Sequence, residues 1–200
     1  CKPALAHPPK LCEALGHHVD PATPDLSVME AFTALAIMAG TGVLVAVRDR
    51  EKTLGRAVTE QDLEPVTWHN VQQATKYDAG QLYRARETCD RIGRVLDEFL
   101  THYDVVLSPV MAIPPPKLGE LSLDQPYERF MEMAVDASPF TAPYNMSGHP
   151  AMSVPLFWNT QGLPIGSQFA ARFGDELTLL KLAAQLEVAA PWVERRPPIA

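Results

Sequence analysis

The chain has few cysteines, no cluster of basic residues and none of the short serine motifs that announce a hydrolase. Each absence removes a class of function. Three cysteines in 200 residues, Cys1, Cys12 and Cys89, are odd in number and widely spaced. They fit neither a disulfide framework nor a zinc pattern, so reduced thiols and a cytoplasmic location are expected. Lys and Arg number 17 against 24 Asp and Glu, a net charge of −7. Nucleic-acid binders carry a basic patch, and this chain predicts no nucleic-acid partner. The nearest thing to a patch, Arg84, Arg86, Arg91 and Arg94, is interleaved with Glu87 and Asp90 and reads as a solvated helix face. The uncharged run Phe32 to Val47 is interrupted by Gly40-Thr41-Gly42. It is shorter than the roughly 20 apolar residues a bilayer span needs, so a buried helix is expected and no membrane.

Metal ligation and self-contained serine chemistry are equally poorly supported. The six histidines are scattered, and none stands in an HExxH-like spacing. No metal and no cofactor is expected. The seven serines include none in a GxSxG elbow. Ser147-Gly148-His149 sets a hydroxyl beside an imidazole in sequence, yet residues two apart do not face one another on a helix. The triplet therefore reads as a turn, with Pro150 fixing the exit into an extended segment.

What is present is an ordinary globular chain, 46% hydrophobic and 20% charged, with length for one substantial domain or two small ones. Leu11 to Leu15 reads as a short helix closed at Gly16, with Pro8-Pro9 in its first turn. Ser27 and Glu30 form a capping-box pair opening a helix to about Ala39, and Val43 to Val47 either continues it or forms a strand. Leu82, Ala85, Cys89, Ile92, Leu96, Phe99 and Tyr103 recur every three or four residues on one helical stripe, which makes Cys89 a core residue before a nucleophile. The apolar, β-branched run after it, Tyr103 to Val110, reads as a buried strand. Leu118 to Pro126 reads as a loop and Tyr127 to Ala137 as a helix. Ala151 to Trp158 and Leu163 to Ala171 read as two strands joined at Asn159-Thr160-Gln161-Gly162. Glu176 to Ala190 is a helix apolar on most of its circumference, hence expected to pack on more than one side. The sum is an α/β chain.

Three blocks in register then resemble the C-terminal signature of the amidase signature family. Phe140, Thr141, Asn145, Gly148, Pro150, Ala151, Ser153 and Pro155 match FTxxxNxxGxPAxSxP. Gly162, Leu163, Pro164, Gly166 and Gln168 match GLPxGxQ. Gly174, Asp175, Glu176, Leu179, Leu180, Leu182, Ala183 and Glu187 match GDExxLLxLAxxxE. Upstream, LCEALGHHV and YDVVLSPV resemble a leucine-rich helix and a strand of the same family.

The resemblance implies a mixed β-sheet flanked by helices on both faces, with residues 1–200 forming the C-terminal portion of a single amidase domain. It implies hydrolysis of a carboxylic amide by a serine nucleophile, a bridging cis-serine and a lysine. An unactivated hydroxyl is a poor nucleophile, so that chemistry needs a relayed base and backbone donors for the oxyanion. The family's serines lie in a Gly/Ser-rich stretch, and this chain has none; none of its six lysines stands in such a context. No catalytic residue is assigned. Phe140, Tyr144 and Asn145 are expected beside the substrate cavity, with Met111 and Ile113 adding apolar character. The expected partners are an N-terminal half of the same enzyme and a small-molecule amide, with a homodimer as a further expectation. The alternative is a non-catalytic interaction domain on the same scaffold.

Overall fold

The computed structural model describes residues 2–198, with side chains from residue 6 onward; Cys1 lies outside them. The chain divides into two compact units, one of Cys1–Leu26, Ile92–Pro115 and Ala137–Ala200, the other of Ser27–Arg91 and Pro116–Asp136.

The first unit is built on a three-stranded sheet in the order β1-β3-β2. Its strands are β1 (Val105–Pro109), β2 (Ala151–Trp158) and β3 (Pro164–Ala171), and both pairings are antiparallel. The α/β character expected from sequence holds, but the pairing among the described residues is antiparallel throughout where a mixed sheet was expected. The cause is local: β2 and β3 form a hairpin, and β1 adds beside β3 in the opposite sense. The hairpin turn is dictated by Asn159, whose Oδ1 accepts from the backbone N–H of Gln161 (3.0 Å) and Leu163 (2.9 Å). Gly162 supplies the positive φ of 75° that closes the turn. Pro155, which has no N–H to give a ladder, falls where the β2–β3 register slips between Val154 and Phe157.

Alternation along the strands sorts side chains onto two faces. Val105, Leu107, Val154, Leu156, Phe169 and Ala171 form the apolar one, covered by α1 (Lys2–Ala14) through Leu11 and Cys12, by Leu15 just after it, and by α7 (Glu176–Ala189) through Leu179, Leu182 and Leu186. Phe169, Ala171 and Leu186 are fully enclosed there. Asp175 caps α7, its carboxylate accepting from the Thr178 N–H (3.2 Å) and hydroxyl (2.7 Å).

Two expectations for these helices fail. Pro8 and Pro9 lie inside α1, which starts earlier than the proline rule suggested. The prolines cost it two N–H donors, and packing of its later turns on the sheet holds it nonetheless. On α7, Leu177, Leu180 and Val188 are exposed, so its apolar residues are packed on one side and not on several.

The second unit is helical: α2 (Val28–Leu54), a single 3-10 turn at Glu60–Asp62, α3 (Pro65–Ala74), the larger part of α4 (Ala79–Phe99) and most of α5 (Tyr127–Ala137). Ser27 caps α2, its Oγ accepting from Glu30 N–H at 3.3 Å, and Gly55 ends it in the left-handed conformation. The helix runs straight through Gly40-Thr41-Gly42. Gly40 sits against the Asn70 carbonyl and Ala74 Cβ of α3, each 3.8 Å from where a Cβ would stand, so the glycine serves close helix packing and not a break. At 27 residues α2 is long and apolar enough to cross a membrane by length and composition, and only 22% of its most apolar window is buried, so the expectation of a buried helix is not met. Leu44, Val71 and Ala74 form the unit's small core. On α4, Ala85, Cys89, Ile92 and Leu96 are buried as the stripe predicted, whereas Leu82 at its start is exposed; Phe99 is half-buried and stacked on Tyr103, and the buried Leu100 follows the helix end. Burial pushes the Cys89 thiol pKa up, and the sulfur rests 3.3 Å from Met38 Sδ, which suits packing and not nucleophilic chemistry.

Candidate functional site

The opposite face of the sheet is polar at its centre. Gln168 on β3 lies in register between Ser108 on β1 and Ser153 on β2. Only 5% of Gln168 is exposed, so its amide must find partners within the protein. Its Nε2 donates to Ser108 Oγ at 3.0 Å and to the Phe140 carbonyl at 3.1 Å. The Ser108 hydroxyl in turn donates to the Pro109 carbonyl at 3.1 Å. One buried amide thus fastens two strands and the start of the segment that carries the sequence-predicted site. Two residues before it, Gly166 is obligatory for a steric reason. A Cβ there would stand 2.6 Å from Ser153 Oγ and 2.8 Å from Val110 Cγ2.

The segment held by Gln168 leads into α6 (Ala142–Ser147). Phe140 is half-buried just before it, Tyr144 is buried within it, and Asn145 points to the exposed side. Burial pushes the Tyr144 phenol up to about 12, so it stays protonated at any ordinary pH. The Asn145 N–H donates to the Thr141 carbonyl at 3.3 Å. Gly148 ends the helix at φ 76°, its N–H donating to the Tyr144 carbonyl at 2.9 Å. Met111 and Ile113 are both half-buried, and the segment is tied down by the Ala112 N–H donating to the Ala137 carbonyl at 2.9 Å.

Ser147 and His149 meet, against the expectation from their spacing. His149 Nδ1 lies 3.0 Å from Ser147 Oγ, and His149 Nε2 lies 3.1 Å from Asp97 Oδ1 on α4. The spacing argument failed because the pair shares no regular element: Ser147 is the last residue of α6 and His149 follows its glycine cap. Left-handed Gly148 between them reverses the chain and turns both side chains the same way. Asp97 was invisible in sequence, lying 52 residues from His149 with no local motif to link them. By distance the three make a hydroxyl–imidazole–carboxylate line. Asp97 only accepts, so Nε2 carries the proton and Nδ1 accepts from the Ser147 hydroxyl.

The line lacks what acyl chemistry needs next. In a serine hydrolase the N–H after the nucleophile faces the oxyanion. Here the Gly148 N–H is spent on the Tyr144 carbonyl, and the His149 N–H points at Ser147 Oγ itself at 3.4 Å. The imidazole is almost wholly enclosed, its side chain 1% exposed, with the Phe173 ring set edge-on against it. The group pins α4 to the α6–β2 turn. Among the described residues no three His, Cys, Asp or Glu side chains gather as a metal site would require.

Comparison with known proteins places this architecture. The profile of the Amidase family matches residues 2–180. The 6-aminohexanoate-cyclic-dimer hydrolase of Paenarthrobacter ureafaciens is 33% identical over 196 residues, covering 92% of this chain and 39% of that protein. A solved structure of a 6-aminohexanoate cyclic dimer hydrolase superposes with a TM-score of 0.82 at 29% identity, over 94% of this chain and 41% of its own. A bacterial aryl acylamidase of the amidase signature enzymes shares the fold at a TM-score of 0.74 and 18% identity, over 94% of this chain and 41% of its own. The chain therefore spans about 39% of the length of the first of these relatives.

Proposed function

The chain belongs to the amidase family, and from that premise we propose that it is the C-terminal portion of an amide hydrolase, supplying sheet scaffold and one wall of the substrate pocket. The profile match over residues 2–180, in a chain with no complete nucleophile, base and oxyanion set among its described residues, carries this reading. The nucleophilic serine, bridging serine and lysine would come from the part of the relatives' length that this chain does not span. The substrate would lie against Phe140, Tyr144 and Asn145. Gln168 supports that role by fixing the Phe140 carbonyl from behind, as a residue that holds a wall and not one that reacts. The half-buried Phe140, Met111 and Ile113 suit an apolar acyl or amine chain. The free, buried thiols of Cys12 and Cys89 fit a reducing, cytoplasmic setting.

A cyclic oligoamide of 6-aminohexanoate is the first substrate to assay, because two of the proteins aligned above are named for it. The test measures amine release by this chain alone and by the same chain combined with the remaining length of a relative. Turnover only in the combination supports the proposal. Turnover by the chain alone, lost in Ser147→Ala, would transfer the chemistry to the Ser147–His149–Asp97 line and overturn it.

A further inference from the structure

The helical unit carries a surface hollow of its own. It is a depression open to solvent, with a volume of ≈ 420 Å³, and is lined by Glu60, Pro65, Trp68, His69 and Gln72. That volume falls within the range of small-molecule sites. The lining follows from chain geometry. Pro65 opens α3, and Trp68, His69 and Gln72 follow at helical spacings of three, four and seven, so all four share one face. The 3-10 turn before α3 brings Glu60 to the rim.

Two of the walls are packed against neighbouring side chains. Trp68 packs behind the hollow on the core of Leu44, Val71 and Ala74. His69 is stacked on Tyr127 with ring centroids 3.8 Å apart and planes within 10°. The charges around the hollow are unequal. Asp62 is neutralised by Arg56 through two hydrogen bonds of 2.9 and 2.7 Å, and Glu64 accepts from the Thr67 hydroxyl at 3.1 Å. Glu60 has neither a hydrogen bond nor an ion pair among the described residues, which leaves an uncompensated carboxylate at the edge of an aromatic wall.

We infer that this hollow is a binding site for a small organic ammonium ion with an apolar chain. The Glu60 carboxylate takes the charged head, and the Trp68 indole and Pro65 ring take the chain. The carboxylate attracts a cation and repels an anion, and the indole offers an apolar surface that a neutral molecule can share only without the attraction of charge. The site requires no hydrolytic activity, so it stands or falls separately from the amidase reading.

The probe is n-hexylammonium, titrated into the 200-residue chain while the Trp68 indole N–H is followed by NMR and assigned by its loss in Trp68→Phe. A saturable shift with a Kd of about 1 mM is expected, the range of a single small contact set. Hexanoate is expected to leave the signal in place, and Glu60→Gln to weaken hexylammonium by roughly fivefold. Glu60 is exposed, so that variant keeps its fold. Equal shifts from 1-hexanol and hexylammonium, or an unchanged affinity in Glu60→Gln, would overturn the inference. So would a shift that never saturates.

Discussion

The two faces of one three-stranded sheet are held by opposite means. On one, Phe169, Ala171, Val154 and Leu156 are sealed by α1 and α7, with Ser167 a buried polar side chain in an otherwise apolar layer. On the other, a single buried glutamine secures Ser108 and the Phe140 carbonyl by two directional hydrogen bonds. Apolar burial is non-directional and scales with area, so the first face stabilises the fold while tolerating small shifts in position. Hydrogen bonds contribute little net stability but fix geometry, and losing one partner strands the other. A sheet built this way separates the work of staying folded from the work of fixing the Phe140 segment in place.

The comparison predicts a graded series. Phe169→Ala attacks the apolar face and is expected to cost about 3–5 kcal/mol, read as a drop in urea midpoint, with the whole unit destabilised. Gln168→Leu attacks the polar face and is expected to cost about 1–3 kcal/mol by stranding the Phe140 carbonyl and Ser108 Oγ. Its distinguishing mark is locally raised hydrogen exchange in residues 140–148 before global unfolding; uniform loss of protection would erase the distinction between the faces. Tyr144 supplies a pH test. Its folded value of about 12 exceeds the ordinary 10, so the folded state holds its proton longer than the unfolded state. Stability is therefore complete below pH 10 and declines as pH rises from 10 to 12, by about 2 kcal/mol, and Tyr144→Phe flattens that decline. The smallest effect belongs to Asp97→Asn. The Asp97 side chain is 60% exposed, so water screens its pairing with His149, and the loss is expected to stay below about 1 kcal/mol in thermal melts.

Sequence and structure agree wherever a local rule suffices. The β2–β3 hairpin was legible because Asn159 and Gly162 satisfy the turn within five residues, and α7 because Asp175 caps it. The stripe on α4 was legible from its period alone. Rules failed where tertiary packing overrode them. Pro8-Pro9 did not mark the start of α1, and Gly40 did not break α2, because α3 packs against that glycine. The polar face shows the limit most clearly. Gln168 stood out as part of a motif, yet its hold on Phe140 spans 28 residues and depends on strand register. Ser147 and His149 stood side by side in sequence, and only the left-handed glycine between them and a distant Asp97 turned them into a network. Phe140, Tyr144 and Asn145 lie in and beside α6 with three different exposures, and contact with substrate remains the proposal made for them.

The central claim is that this chain builds a wall for amide chemistry without containing its nucleophile. A fluorophosphonate probe, which labels only activated serines, tests it by intact mass and peptide mapping. The account predicts an unmodified chain of 22.0 kDa, with no adduct on any of its serines. A stoichiometric adduct at Ser147 that vanishes in Asp97→Asn would contradict it, and would make the pinning network a catalytic one.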